Sequence, residues 1–173
     1  MNLHLILRQS CLAATVGLVI FSGCHHNSSK DSSLDGNYVI SLADTTMDVK
    51  AIVKKADDLT TANRLNDAIS LLTINLHRFK GVERASLLNE RGTSFYMKDD
   101  KEKAISDFLI AHELDSTNVT YAMSIANAYE SIESYSNAAF FAKKILDIQT
   151  ATDTDRIVAK QIIDRYESAH AGR

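Results

Sequence analysis

Residues Arg84–Asp115 read RASLLNERGTSFYMKDDKEKAISDFLIAHELD, and they decide the fold. Apolar residues fall at helical spacing on either side of Asp99-Asp100, an acidic pair suited to capping a new helix. Leu88, Gly92 and Phe95 share one face of the first segment, and Ala104, Phe108 and Ala111 share one face of the second. The short connection makes the two helices antiparallel neighbours. The pattern returns 34 residues later, with Gly92 replaced by Ala126, Phe95 by Tyr129 and Ala104 by Ala138. Small residues let two backbones approach, so that Phe95, Tyr129 and Phe108 can fill the space between units. A weaker unit precedes these at about Val49–Arg78. There Ala56, Ala68 and Leu72 take the corresponding places, and Leu59 replaces the aromatic. Ala68 lies 36 residues before Ala104, so the first linker carries two extra residues.

A 34-residue period with two helices per unit resembles the tetratricopeptide repeat. Beyond the residues quoted, the following unit matches at Ile125, Ala126, Tyr129, Tyr135, Ala138, Ala142 and Ile145. The resemblance covers about Asp48 to Ile148, and Ser116 stands where the family usually has proline. It implies an all-α, tetratricopeptide-like superhelix of about three helical hairpins plus a C-terminal capping helix, with the repeat domain at 45–173. One hairpin cannot bury its apolar face alone, so about three must stack, and the open end needs a cover.

Helix signals place the elements. Thr45-x-x-Asp48 caps a first helix to Thr61; a second runs Leu65–Arg78 with Gly81 as its stop; a third spans Glu83–Met97. Asp99-Asp100 opens a fourth to Leu114, Ser116–Asn118 a fifth to Glu133, and Ser136 a sixth to Ile148. Thr152-x-x-Asp155 opens the last, to about Ser168. Its stripe of Val158, Ile162, Tyr166 and Ala169 opposes Arg156, Lys160, Asp164 and Glu167, as a covering helix with a wet outer side requires.

Upstream of the repeats lies an address. Met1–Gly23 holds Arg8 and an apolar run from Cys11 to Phe21, the length of a signal-peptide core and short for a membrane span. Phe21-Ser22-Gly23-Cys24 then resembles the lipobox of bacterial lipoproteins, although Phe21 replaces the usual leucine. That resemblance implies cleavage before Cys24 and attachment of acyl chains (palmitate among them) to the new terminus. His25 is not the aspartate that commonly retains lipoproteins in the inner membrane. In a diderm bacterium the implied address is therefore the outer membrane, facing the periplasm. Cys11 is the only other cysteine and lies in the removed segment, which leaves no disulfide and no nucleophilic thiol. Residues 24–44 are rich in Ser, Asn, Asp and Gly and read as a flexible tether interrupted by Tyr38-Val39-Ile40-Ser41-Leu42, a patch expected to dock on the helices, the alternative being a small recognition segment. His25-His26 lacks the spaced ligands of a metal site.

Composition excludes several functions. A net charge of −3 offers no basic face for nucleic acid. With no proline, no tryptophan and six glycines, a turn-rich β-sandwich is disfavoured. No phosphate loop, zinc-protease motif or nucleophile elbow occurs, and His77, His112 and His170 each stand alone. Neither a cofactor, a metal nor catalysis is expected.

The resemblance instead implies a concave face lined by first-helix residues. In the first unit these are Val53, Asp57 and Thr60, and in the second Ser86, Asn89, Thr93, Tyr96 and Met97. The third adds Thr120, Met123, Asn127 and Glu130. The methionines and Tyr96 are adaptable apolar contacts, and Asn89 and Asn127 can bond a peptide backbone in either direction. Lys50 is the one groove lysine, so the clamp with which some family members hold a C-terminal carboxylate is not expected. The expected function is a lipid-anchored scaffold that binds a protein of a pilus, secretion, outer-membrane or cell-wall machine. The alternative is a regulator that activates a periplasmic cell-wall enzyme, and the exposed edges of a short solenoid leave a homodimer open. Cys24→Ala is expected to leave the helical signal in circular dichroism unchanged yet release the protein from membranes. Sedimentation of the variant with membranes in high salt would count against the anchor.

Overall fold

Asp48 sits in extended backbone and caps the first helix, its carboxylate accepting a bond from the Ala51 amide at 2.8 Å. The computed structural model describes residues 46–171. The signal segment 1–23, Cys24, the tether with its Tyr38–Leu42 patch, and Thr45 lie outside the described residues. From Asp48 onward the chain forms α1 (Val49–Thr61), α2 (Leu65–Asn75) with a 3₁₀ turn (Leu76–Arg78), and α3 (Gly81–Met97). It continues through α4 (Lys101–Leu114), α5 (Val119–Ser131), α6 (Tyr135–Asp147) and α7 (Asp153–His170). No strand occurs among the described residues.

Caps explain most of the starts. The Asp100 carboxylate accepts from the Lys103 amide, and the Asn118 side chain accepts from the Thr120 amide at 3.0 Å. Thr152 and Asp155 form a reciprocal box: the Asp155 amide donates to Thr152 Oγ1 at 3.2 Å, and the Thr152 amide donates to the Asp155 carboxylate at 2.9 Å. Two expected boundaries move, and so does one expected face. Gly81 does not stop the second helix; at φ 51° it is the first residue of α3, and α2 has already tightened into the 3₁₀ turn. Ser136 lies inside α6, which begins at Tyr135. In α7 the buried stripe is Ala159, Ile162 and Ile163, while Ala169 is exposed. Arg156, expected on the wet side, turns back to donate to the carbonyls of Leu146 and Ile148, closing off the end of α6.

Each hairpin turns through one left-handed residue: Asn63 at φ 59°, Asp99 at 68° and Glu133 at 58°. The amide after each reaches back to a first-helix carbonyl, Arg64 to Leu59 at 2.8 Å, Asp100 to Phe95 at 2.9 Å and Ser134 to Tyr129 at 2.9 Å. The left-handed residue itself donates to Thr60, Tyr96 and Glu130 respectively, completing a Schellman motif three times over. Identical turns keep the hairpins congruent, so they stack.

The stack is held by close approach. A Cβ added at Gly92 would lie 2.6 Å from Phe108 Cε1 and 3.2 Å from the Ala104 carbonyl oxygen. The corresponding positions carry Ala56 with Leu72 and Ala126 with Ala142, so the bulkiest partner, Phe108, faces the one glycine. Leu88, Ala104, Phe108, Ala111, Ala126 and Ala138 are all buried, and Phe95 and Tyr129 are half-buried against the core between units. Beside Gly92, Arg91 forms a two-pronged pair with buried Asp107 at 2.7 and 2.8 Å and also donates to Thr73, so it joins α3 to α4 and α2. Gly92→Ala gains roughly 1 kcal/mol of helix propensity but overpacks the Phe108 ring by about 1–3 kcal/mol. A net loss of thermal stability is expected, and it should vanish in a Phe108→Ala background. Equal effects in both backgrounds would show that the ring is not the constraint.

Candidate binding groove

The first helices of successive units pack directly on one another, α1 on α3, α3 on α5 and α5 on α7. No two of α2, α4 and α6 approach so closely. The row therefore bends with the first helices on its inner side, and α7 occupies the place of a fourth first helix. Polar bonds stitch this inner row. Thr60 and Ser94 hydroxyls meet at 2.9 Å, Ser86 and Tyr121 at 3.2 Å, and Ser124 Oγ donates to Asn89 Oδ1 at 3.1 Å. Glu130 pairs with Arg165 at 2.5 Å and carries the row into α7.

Between α3 and α5 the inner face opens into a depression of about 490 Å³, lined by Thr93, Tyr96, Phe108, Ser124, Asn127, Glu130 and Ser131. The structure thus brings together Thr93, Tyr96, Asn127 and Glu130 from the residues expected on the concave face. Asn127 is exposed and available. Asn89 departs from expectation: it is only 7% exposed, and its side-chain oxygen is taken by Ser124. Met123 packs half-buried against the C-terminal core, and Met97 is 61% exposed beyond the depression. Phe108 enters from α4, where sequence periodicity assigned it to packing alone. Ser124 and Ser131 join them, serines whose hydroxyls carry no signal of their own in a helical sequence. Lys101 covers part of this face: its ammonium lies 3.6 Å from the Tyr96 ring centroid and donates to the Tyr96 carbonyl. Val53 is half-buried against the N-terminal core, while Asp57 and Thr120 are exposed. Glu90, on α3, is half-buried, and burial followed by the nearby Asp57 charge raises its carboxyl above the usual range.

No group of three or more His, Cys, Asp or Glu gathers to hold a metal among the described residues. No described helix is long and apolar enough to cross a membrane.

Among solved structures the chain is similar to the crystal structure of MamA, with 20% identity and a TM-score of 0.61 over 72% of this chain and 69% of that one. It is also similar to the Arabidopsis OM64 TPR domain, with 19% identity and a TM-score of 0.57 over 68% of this chain and 95% of that one. The fold is tetratricopeptide-like. No protein-family model and no curated protein matches the sequence. The tetratricopeptide-like superhelix accounts for the 34-residue period, the inner row of first helices and the place of α7.

A second depression, of about 450 Å³, lies on the other edge between the ends of α4 and α6 and includes His112, Thr117, Lys144 and Asp147. His112 stands edge-on to Phe141, with ring centroids 5.8 Å apart, and its buried Nδ1 has no partner. Burial, then the Lys144 charge, lowers its pKa, against a smaller raising effect of Asp115. The folded state therefore favours the neutral ring. As pH falls below the ordinary histidine value near ~6.5, the unfolded chain takes up a proton that the folded chain resists, and stability is lost. The thermal midpoint is expected to drop more between about pH 7.5 and about pH 5.5 in the wild type than in His112→Gln. Equal drops would remove His112 from the account.

Proposed function

We propose that this protein is a non-enzymatic scaffold that holds a segment of a partner protein in the groove between α3 and α5. The observation that carries the reading is the depression itself, where exposed Asn127, Thr93 and the hydroxyls of Ser124 and Ser131 surround the aromatic floor of Tyr96 and Phe108. The Asn127 amide can donate to or accept from a peptide backbone, the Thr93, Ser124 and Ser131 hydroxyls, whose protons are donated within the fold, can still accept from one, and the rings offer apolar contact without any arrangement of nucleophile and base. The polar stitches leave this surface formed before any partner arrives, which lowers the ordering cost of binding.

The sequence around Cys24 supports the remainder of the proposal. Lipidated there, the protein would reside in a bacterial envelope, on the periplasmic side of the outer membrane. The tether of 24–44, with a reach of ~5–6 Å × √n for n residues, would hold the groove within a few nanometres of the bilayer. That confinement raises its effective concentration for membrane-bound partners of an envelope machine.

A photoreactive residue placed at Tyr96 or Asn127 is expected to crosslink the partner, whereas one at exposed Lys143 on α6 is not. The captured protein should then bind the Asn127→Arg variant at least about tenfold more weakly, equivalent to about 1.4 kcal/mol. Absence of an adduct at both groove positions, or an adduct whose binding ignores Asn127→Arg, would overturn the groove as the binding site.

A further inference from the structure

We infer that the apolar run of the tether, Tyr38-Val39-Ile40-Ser41-Leu42, seats itself in the depression between α3 and α5 of its own chain, so that a partner must displace it to enter. This rests on the groove reading above and adds the regulation of that site.

The character of the depression sets what it can hold. Its floor is the Tyr96 and Phe108 rings, and its rim is polar, with Asn127 the exposed amide. The charges beside it are already matched within the fold. Glu130 is held by Arg165 at 2.5 Å, and Lys101 lies 3.6 Å from the Tyr96 ring centroid and pairs with Asp99 at 3.4 Å. A charged side chain entering here would give up water for no new partner, whereas an apolar one covers the rings at no such cost. The chain supplies an occupant of that kind. Between Asp35 and Asp44, residues 36–43 carry no charge and include Tyr38, Val39, Ile40 and Leu42. The rest of 25–44 holds only one other large apolar residue, Leu34. Full burial of an aliphatic side chain contributes roughly 1.5–3 kcal/mol, so seating even two of these gives the run a reason to leave water.

Reach permits it. The point where the tether joins the helices is fixed, because Asp48 caps α1, Met47 packs half-buried on the N-terminal core, and the Met47 carbonyl accepts a bond from Arg78 at 2.9 Å. Thr60 on α1 touches Ser94 on α3, which lies between Thr93 and Tyr96 of the depression. The depression is therefore level with Thr60, twelve residues past Asp48 and ~18 Å along the helix. Across the row it lies one to two helix spacings from α1, at ~8–10 Å each. The path from Asp48 is then roughly 20–25 Å. Ile40 precedes Asp48 by eight residues, and an extended chain of that length covers ~26–29 Å, so the run arrives with slack. A link this short gives the run an effective concentration in the millimolar range, and it fills the groove even where its affinity as a free peptide is weak. The apparent affinity of a partner is reduced by the fraction of chains whose groove is open.

A photoreactive residue at Tyr96 or Asn127 of the purified full chain, with nothing else present, tests this. The expected product is a crosslink within one chain to residues 36–44, unchanged on dilution and lost in Ile40→Asp/Leu42→Asp. Both substituted residues precede α1, so the helical signal in circular dichroism should stay constant. A synthetic peptide of residues 36–44 should bind the substituted chain at least about tenfold more tightly than the wild-type chain, and Asn127→Arg should abolish that binding. A crosslink between chains that grows with protein concentration would place the run in a second copy and overturn the inference. No crosslink to residues 36–44, or equal peptide affinity for both chains, would overturn it too. A partner still captured at Tyr96 or Asn127 in those cases leaves the groove standing, and only its occupation by the tether falls. A peptide that binds regardless of Asn127→Arg, with no partner adduct at either position, would sink both.

Discussion

The close approach of α3 to α4, where the absent side chain of Gly92 admits the Phe108 ring, is the constraint from which the rest of the structure follows. A helix pair at this separation leaves no room for water and no freedom of register, because the ring fits only where the Cβ is missing. Arg91, the next residue, uses the same proximity to reach Asp107 and Thr73. An ion pair so buried stabilises little relative to an apolar pair, but its two bonds are directional and its loss would strand a charge. Together the two contacts set the angle of the central hairpin, and the neighbouring hairpins inherit it through the stacked core.

Stacking alone would leave the inner row of first helices able to slide. Hydroxyl and amide contacts spaced 34 or 35 residues apart, Thr60 to Ser94, Ser86 to Tyr121 and Ser124 to Asn89, prevent this. Each is modest, about 1 kcal/mol net, but a hydroxyl at this depth without its partner would be penalised, so the contacts specify register as well as adding stability. The same economy limits function. Side chains engaged in the row, Asn89 above all, are withdrawn from recognition, and what remains for a partner is the set that points past the seam.

Core positions in this chain are locally consistent: small residues meet large ones, caps meet open amides, and the left-handed turns recur in all three hairpins.

Much of this was legible in the residues. The period of Gly92 and Ala126, with Ala104 and Ala138, determined an all-α repeat, because only helices at fixed separation demand small residues at a fixed interval. Capping chemistry located three of the starts, since Asp100, Asn118 and Thr152 act through their own adjacent amides, whereas at the first helix the cap is Asp48 and not the Thr45 of the Thr45-x-x-Asp48 box. Local sequence failed where the deciding partner is distant. Gly81 looked like a stop because glycine suits a left-handed residue at either end of a helix, and Glu133 gave no hint of its left-handed backbone. Arg156 and Ala169 changed sides because the neighbouring helix, and not the stripe, decides what is covered. The candidate site divides the same way. Thr93, Tyr96, Asn127 and Glu130 follow from their place in the repeat, whereas the loss of Asn89 to Ser124 and the entry of Phe108 depend on how one hairpin leans on the next. Sequence by itself determined the period and the helices, which are local and repetitive. Tertiary structure alone decided which side chains remain for a partner, because that depends on contacts between residues about 35 apart whose geometry no single unit contains.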